Sequence, residues 1–447
     1  MRVETLRPGA GLADLAAFVT TDYLGITRGR SIDTREWESG GATNCGWCPA
    51  NTTITPFDLI ADGSPFGSEG DLRLIPDRKA RYRTTPHGAY TPLDMIMSDV
   101  VELDGRPWSC CPRSFLKTAL ADLEREAGLM VTGAFEVEFS ALETSWHHAP
   151  AFSLAAMRRT DPFGPAVMAA LSAAGVEPEV FIPEYGRNQF EITHVPAPAL
   201  IAADRAVALR EIIREVARLM GFRASFSPKT AVAGVGNGVH IHYSLRDRHG
   251  HPMTFDASQP GRISKIAGAF TAGVIRHLPA LCALTAPSPI SYLRLKPHNW
   301  SSSYTWLGER DRESTIRICS TYDAGGKDPS RQFNLEYRAA DGCASPHLAM
   351  GAIVRAGLEG IRENLPTPAI YSGDPTLLSE NELERHGLRR LPTSLEAALQ
   401  AFEADKTVSG WFDATFHQAY LATKRMEIKL VEGLDPDLQC QRYAEVY

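Results

Sequence analysis

The sequence has few features of a secreted, membrane-spanning or nucleic-acid-binding protein. It has no apolar run of about 18 or more residues, and its start, Met1-Arg2-Val3-Glu4, is polar and unlike a signal peptide. No basic stretch dominates, and the formal net charge is −7. These absences predict a cytoplasmic protein that binds neither nucleic acid nor membrane.

Cysteine is too sparse for a disulfide framework, because only eight cysteines are spread over 447 residues. Cys45-Gly46-Trp47-Cys48 has the spacing of a redox motif, but no βαβ pattern surrounds it. We predict ordinary loop thiols there, with redox or metal chemistry at Cys45 and Cys48 as the alternative.

The length and the 44% hydrophobic content predict two or more domains with sizeable cores. Residues 1–105 are rich in Gly, Pro and Thr, and they have short strand patterns and one helical pattern, at residues 12–19. From residue 106 to 447, strands alternate with helices, beginning with an amphipathic helix at 112–127 and including a strand around Arg294. This order predicts an α+β fold, with a β-rich N-terminal domain at 1–105 and a second domain at 106–447.

Several of these strands carry charged side chains two residues apart, with apolar residues between them. Since alternate residues of a strand point to opposite sides, each strand has one apolar and one charged face. The segments are Phe135-Glu136-Val137-Glu138-Phe139, Val239-His240-Ile241-His242-Tyr243-Ser244, Ile316-Arg317-Ile318 with Arg312 upstream, and Leu335-Glu336-Tyr337-Arg338. The apolar faces can pack on helices, while the other faces collect carboxylates, imidazoles and arginines.

Two carboxylates about 5 Å apart repel by roughly 3 kcal/mol at an effective dielectric constant near 20, so clustered glutamates need cations or protons. Mg²⁺ accepts carboxylate oxygens and keeps positions open for phosphates. Any single pair also fits a solvated strand face. Several pairs followed by arginines predict a site for metal ions and a polyanion.

Six motifs along the chain resemble the glutamine synthetase superfamily, over most of residues 110–447. In order they are Gly133-Ala134-Phe135-Glu136-Val137-Glu138-Phe139, Glu184-Tyr185-Gly186-Arg187-Asn188-Gln189-Phe190-Glu191-Ile192, Phe226-Ser227-Pro228-Lys229, Gly236-Asn237-Gly238-Val239-His240-Ile241-His242, Arg312 with Arg317, and Asn334-Leu335-Glu336-Tyr337-Arg338. Residues 22–30 are similar to the family's N-terminal β-grasp domain.

The resemblance implies a β-grasp-like domain at 1–105 and a catalytic half-barrel of mainly antiparallel strands backed by helices at 106–447. It implies an ATP-dependent ligase in which ATP phosphorylates the γ-carboxylate of glutamate and an amine displaces the phosphate. The expected cofactors are ATP and two or three Mg²⁺ or Mn²⁺ ions per site. The expected assembly is a homo-oligomer, a dodecamer with active sites between subunits.

The resemblance also implies a role for each matching residue. One metal ion is expected at Glu138, Glu184 and Glu191, and a second at Glu136, His240 and Glu336. Arg312 and Arg317 are expected to neutralise the transferring phosphoryl group. Arg294, Arg338 and the backbone at Gly236 are expected to bind the acid substrate. His242, Ser244 and Arg331 are expected near the nucleotide, although His242 also fits a hydrogen-bonded strand histidine and Arg331 a solvated side chain.

Two departures from the family pattern bear on the amine. Residues 45–53 lack the Asp-Gly-Ser-Ser-type loop that helps to bind ammonium, and Trp300 stands where the family's flap ends in a glutamate. Losing both anionic groups favours an alkylamine or polyamine over ammonia, because an indole offers an apolar surface and a cation–π face. The chain is closest in character to the γ-glutamylpolyamine and γ-glutamylalkylamide synthetases.

Further departures leave alternatives open. Val235 and Ile290 replace family asparagines, so a glutamate analogue is an alternative acid, and Glu309 is a candidate base for the amine. No Asn-Leu-Tyr-Asp-Leu segment occurs at 374–384, so adenylylation is not expected. An ordinary ammonia-dependent glutamine synthetase and a catalytically inactive structural or binding member of the fold are the competing functions.

Overall fold

The structure is a computed structural model that describes residues 11–447. Its fourteen strands within that range are β1 (Leu15–Thr21), β2 (Thr27–Asp33), β3 (Cys45–Trp47), β4 (Leu72–Thr84), β5 (Leu93–Val101), β6 (Leu129–Leu142), β7 (Pro178–Pro183), β8 (Gln189–His194), β9 (Ala197–Pro198), β10 (Arg223–Ser225), β11 (Val239–Asp247), β12 (Leu307–Glu309), β13 (Ile316–Ile318) and β14 (Leu335–Tyr337).

The α-helices of the same part of the chain are α1 (Thr34–Glu38), α2 (Pro112–Ala127), α3 (Leu154–Arg158), α4 (Phe163–Ala173), α5 (Ala199–Leu219), α6 (Lys265–Thr285), α7 (Ser291–Arg294), α8 (Pro346–Arg362), α9 (Glu380–Arg385), α10 (Leu395–Ala404), α11 (Lys406–Ser409), α12 (Ala414–Val431) and α13 (Pro436–Val446). Cys111, the N-cap of α2, accepts the Ser114 N–H, and Gly128 ends the helix with a φ of 68°. The sequence predicted this helix with the observed bounds.

The strands form two sheets. The N-terminal sheet has the order β2-β1-β5-β4-β3, with β1 parallel to β5 and the other pairs antiparallel. The second sheet has the order β12-β13-β14-β11-β6-β8-β7, with β9 and β10 also paired to β6. It is antiparallel except between β12 and β13. The α+β class is confirmed.

Two local predictions are wrong. The helical pattern at residues 12–19 is strand β1, which lies between β2 and β5. Because this strand is buried on both faces, its apolar residues do not alternate with polar ones. The strand expected around Arg294 is the short helix α7, in which the Leu295 N–H donates to Ser291 O.

Helices cover the apolar face of the larger sheet. Phe135, Val137 and Phe139 of β6 are each at most 1% exposed, and α5 packs directly on β6. Helix α8 contacts α5 and packs on α6, which is long and apolar enough to span a membrane. However, 72% of its apolar window is buried inside the protein, which is the environment of a core helix.

Candidate active site

Strand register brings the charged residues of the motifs onto one face of the larger sheet. His240 is directly opposite Glu136, and Glu138 is opposite Glu191. Glu336 is opposite both His242 and Arg317, on the strands at its two sides. Because directly opposed residues point to the same side of a sheet, the pattern predicted from single strands holds across five of them.

Two glutamates and two histidines form the centre of this face. His242 Nε2 lies 2.9 Å from Glu136 Oε2, and His240 Nδ1 lies 3.3 Å from Glu136 Oε1. His240 Nδ1 is also 3.5 Å from Glu336 Oε1. Within the predicted trio, His240 therefore lies between Glu136 and Glu336 and contacts both.

Among residues 11–447, two sets of three side chains are close enough to share a cation. Within each set, the donor atoms all lie within 4.8 Å of one another. One set is Glu136, Glu191 and His240, and the other is Glu136, His242 and Glu336. The second set includes His242, for which the sequence predicted a place near the nucleotide rather than a metal. Carboxylate oxygens with an imidazole nitrogen fit Mg²⁺ or Mn²⁺.

On one side of the cluster, Glu138, Glu184 and Glu191 lie close together and have too little positive charge around them. Burial and the neighbouring Glu138 raise the pKa of Glu184 to about 7. Burial and then the charge of Glu136 likewise raise the pKa of Glu191 far above its usual value. Glu138 Oε2 accepts the Gly238 N–H at 2.7 Å. Carboxylates that burial and mutual repulsion push towards protonation are the expected partners of bound cations.

Glu336, at the opposite end of the cluster, is already paired with two arginines. Glu336 is fully buried, and Arg317 Nη1 donates to its Oε2 at 2.9 Å while Arg338 Nη1 donates to Oε1. Burial opposes ionisation, but Arg338 and the histidines lower the pKa of Glu336 to about 2. Arg317 Nε is buried without a partner and remains available to a ligand.

The remaining predicted arginines differ widely in exposure. Arg294 is 4% exposed, and its Nη2 donates to the carbonyls of Ala339 and Ala340 at 2.9 and 2.7 Å. Its buried Nε has no partner. Arg312 is exposed and its charge acts on Glu184, whereas Arg331 is exposed and lies 3.8 Å from Asp328.

The glycines before β11 lie against Arg294. A Cβ at Gly236 would lie 2.6 Å from Arg294 Cγ, and one at Gly238 would lie 2.8 Å from His240 Nε2. Side chains at these positions would displace an arginine and a histidine of the site. The backbone at Gly236 therefore lies against Arg294, one of the predicted acid-binding residues.

Trp300 ends the flap, which we define as residues 297–300. Its side chain is 65% exposed, and its φ of 50° is unusual for a bulky residue. Its N–H donates to Glu313 Oε1 at 2.6 Å, and its carbonyl accepts from Arg338 Nη2 at 3.2 Å. The flap backbone is thus held to an arginine that pairs with Glu336.

The same geometry shows where four other positions singled out in the sequence lie. Gly308 is opposite Arg317, so Glu309 belongs to the other face of the sheet, and its proposed role as a base is wrong. Glu313 is the carboxylate that contacts the flap. Ile290 is fully buried in an apolar cluster, so it is a packing residue, whereas Val235 is 38% exposed in the loop beside Gly236. Ser244 is half-buried on the charged face, opposite Thr132.

The sequence analysis missed two residues that contact His242. Asn334 Oδ1 lies 2.9 Å from His242 Nδ1, and Cys319 Sγ lies 3.7 Å from the same atom. Asn334 could have been found, because it lies two residues before Glu336 and so points the same way. For Cys319, no comparable spacing in the sequence indicated a contact with His242. Cys45 and Cys48 are half-buried free thiols; Cys45 begins strand β3, so the predicted loop position is wrong for it, whereas Cys48 lies just after that strand.

Comparisons with known proteins agree with this geometry. The profile of the glutamine synthetase catalytic domain matches residues 109–443, and that of the glutamine synthetase N-terminal domain matches 9–108. A gamma-glutamylpolyamine synthetase of Streptomyces coelicolor is 35% identical over 427 residues, which is 93% of this chain and 90% of that protein. A glutamine synthetase of Methanosarcina mazei is 29% identical over 422 residues, 91% of this chain and 89% of that protein.

A solved structure described as a novel glutamine synthase homolog superposes with a TM-score of 0.90. It is 44% identical and covers 99% of this chain and 100% of its own. The family's enzymes are ATP-dependent ligases that form C–N bonds and use divalent metal ions. Profile, relatives, fold and the charged sheet face agree, and the chain belongs to the glutamine synthetase family.

Proposed function

We propose that this enzyme joins the γ-carboxylate of glutamate, or of a close analogue, to an alkylamine or polyamine. The observation that carries the proposal is Trp300, whose exposed indole ends a flap anchored to Arg338, where the family pattern has a glutamate. The name of the Streptomyces coelicolor relative supports the same substrate class.

The reaction has two balanced steps. A γ-carboxylate oxygen attacks the terminal phosphorus of ATP, ADP leaves, and an acyl phosphate forms. The nitrogen of an uncharged amine then attacks the acyl carbon, the bond to the phosphate oxygen breaks, and the nitrogen loses a proton. A carboxylate needs this activation because oxide is a poor leaving group.

The charged sheet face supplies the groups that this chemistry requires. Glu138, Glu184 and Glu191 would hold one Mg²⁺ or Mn²⁺ ion, and Glu136, His240 and Glu336 a second, with His242 within reach. Bound cations reduce the repulsion between ATP and the acid substrate. Arg312 and Arg317 would neutralise the transferring phosphoryl group, as cationic clamps do in other phosphoryl transfers.

The remaining residues would bind the two anionic substrates. Arg294, through its free Nε–H, and Arg338 would hold the α-carboxylate, with the Gly236 backbone beside it. Ser244, Arg331 and the exposed edge of His242 would lie along the nucleotide. Arg331 contributes little by itself, because its side chain is 79% exposed.

Tryptophan can shield an acyl phosphate from water, but it cannot accept a proton. Alkylamines have pKa values near that of lysine, roughly 10.4, so only about one molecule in 2,500 is uncharged at pH 7. We therefore expect activity to rise with pH into the alkaline range. Glu313, which contacts the flap and whose pKa burial raises, is the carboxylate placed to weaken that dependence.

We further expect a cytoplasmic homo-oligomer, a dodecamer with active sites between subunits, and domain limits at 1–105 and 106–447. These expectations rest on the family resemblance. Light scattering of the purified enzyme would contradict the assembly if it showed an active monomer.

The deciding experiment measures phosphate release from ATP and Mg²⁺ with glutamate and a panel of amines, with the product identified by mass. We expect γ-glutamyl amides of primary alkylamines or polyamines. Turnover with ammonia alone would favour an ordinary glutamine synthetase. No turnover with any acid or amine, in a folded protein, would favour the inactive alternative.

A further inference from the structure

A cavity of about 240 Å³ lies against the flap, outside the charged sheet face. This volume is more than ten times the roughly 10–15 Å³ that one water needs. Flap residues line one side, and the turn before β13 and the loop at 373–376 line the others. The cavity has no role in the chemistry described above.

Carboxylates dominate the charges of this cavity. Asp311, Glu313 and Asp374 line it, and His298 is the one basic side chain in the lining. His298 Nε2 lies 2.8 Å from Asp374 Oδ2, so that pair can be neutral overall. Asp311 has no ion-pair partner among the described residues. Burial raises the pKa of Glu313, although this carboxylate accepts two backbone N–H groups of the flap.

Aromatic residues complete the lining. Trp306 is 3% exposed, and its buried indole N–H has no hydrogen-bond partner. Leaving such a group unsatisfied costs about 1–3 kcal/mol, and a water that enters the cavity can accept this N–H and bridge it to an occupant. Tyr304 lines the cavity too, with Arg390 stacked 5.0 Å from its ring. Trp306 itself packs against Tyr371, with ring centroids 5.3 Å apart, so both aromatic residues of the lining already contact other side chains.

Hydrogen bonds link the cavity wall to the flap. Glu313 accepts the Trp300 N–H through Oε1 at 2.6 Å and the His298 N–H through Oε2 at 3.2 Å. Trp300 in turn contacts Arg338 of the charged face. Both His298 and Trp300 have positive φ values, 62° and 50°, so the carboxylate of the cavity wall holds the flap in a strained shape.

We propose that this cavity binds the distal ammonium of a diamine or polyamine whose other, uncharged amine attacks the acyl phosphate. The inference rests on the proposed amine ligation and adds the substrate class: an acceptor with a second positive charge. Asp311 and Asp374 would bind the ammonium, and the half-buried Tyr304 would contact the carbon chain. A monoamine of equal length lacks the group that this cavity recognises.

The test compares putrescine with n-butylamine, which has the same four-carbon chain and no second amine. In the full-length enzyme we expect kcat/KM to favour putrescine by at least roughly tenfold, the scale of one hydrogen bond to a charged group. Asp374→Asn and Asp311→Asn should each lower this ratio at least roughly threefold, mainly through KM for putrescine. Both variants keep the side-chain Oδ1 that accepts the backbone N–H two residues further along the chain.

Glu384→Gln is the matched control, since it removes the same charge from an exposed position of α9 outside the cavity lining. It should leave the ratio unchanged. The readout is the ratio of the two kcat/KM values, because Asp374 also contacts the flap through His298 and a disturbed flap would affect both amines. Equal use of both amines by the wild type and both cavity variants overturns this inference while amine ligation stands. Turnover with ammonia but neither amine overturns both proposals.

Discussion

The charged sheet face and the flap are neighbours, but they position their residues in different ways. On the sheet, Glu136, His240 and Glu336 lie inside strands whose register fixes which side chains meet. In the flap, Trp300 and His298 adopt positive φ values and are held by hydrogen bonds to Glu313. The sheet carries the residues shared with the family, while the flap carries the departure from it.

Under the proposed function, this difference would separate the activation of the acid from the choice of amine. The metal and phosphoryl groups depend on strands that cannot shift by one residue without moving every side chain to the other face. A loop can exchange glutamate for tryptophan without such a penalty. Substrate choice can therefore change at the flap while the phosphoryl chemistry is kept.

The largest expected effects are on the sheet, where Glu191→Gln and Glu336→Gln should each lower kcat/KM by roughly 10²–10³-fold or more. Their effects on stability should differ. Glu336→Gln leaves Arg317 and Arg338 without a counter-charge, a loss of about 3–5 kcal/mol by analogy with other buried pairs. Glu191→Gln relieves repulsion and should not lower the stability of the metal-free protein.

Denaturant unfolding of the metal-free variants measures this contrast. Near-normal turnover of either variant at limiting Mg²⁺ would show that its residue is not a metal ligand. A stability loss for Glu191→Gln as large as that for Glu336→Gln would show that the two ends of the cluster are not electrostatically different.

At the flap, Trp300→Glu should shift the preference from amines towards ammonia by about tenfold, close to 1.4 kcal/mol of transition-state binding. The new carboxylate would accept the proton that tryptophan cannot. Trp300→Phe is the matched control, because it keeps an aromatic surface and adds no base. If both variants change the preference equally, the proton-accepting role of this position is wrong.

The metal-free protein should become less stable as the pH rises from about 4.5 to 7. The pKa of Glu184 is raised to about 7 in the folded state, so the fold binds more protons than the unfolded chain in this window. The contribution of Glu184 to stability is then largest below its pKa in the unfolded chain, and it is lost as the pH rises to its pKa in the folded protein. Thermal unfolding in EDTA measures it. Saturating Mg²⁺ should reduce this slope, and an equal slope with and without metal would contradict the assignment.

The smallest effect is expected at the edge of the nucleotide site. Arg331→Ala should raise KM for ATP only about two- to fivefold, because an exposed charge contributes about 0.2–1 kcal/mol. Steady-state kinetics with varied ATP measures it. A loss of kcat instead would place Arg331 at the reacting phosphate.

The sequence was sufficient to predict the charged face of the larger sheet, but it was insufficient to predict the loop conformations around it. Alternation within β6 and β11 predicted which side chains share a face, because a period of two leaves no other arrangement. Strand β1 was misread because burial on both faces removed that period. The pairing of Glu313 with the flap depends on a loop conformation that no periodicity encodes. The orientation of Glu309 depends on the register of β12, a strand of three residues that is too short to show alternation in the sequence.

The most direct test of the central claim is a competition assay with ammonia and putrescine in one reaction. The ratio of γ-glutamylputrescine to glutamine, corrected for the two concentrations, equals the ratio of the two kcat/KM values. We predict a ratio of at least about ten, the threshold that corresponds to 1.4 kcal/mol. A ratio below one at every pH, unchanged in Trp300→Glu, would contradict the claim that the flap selects an amine over ammonia.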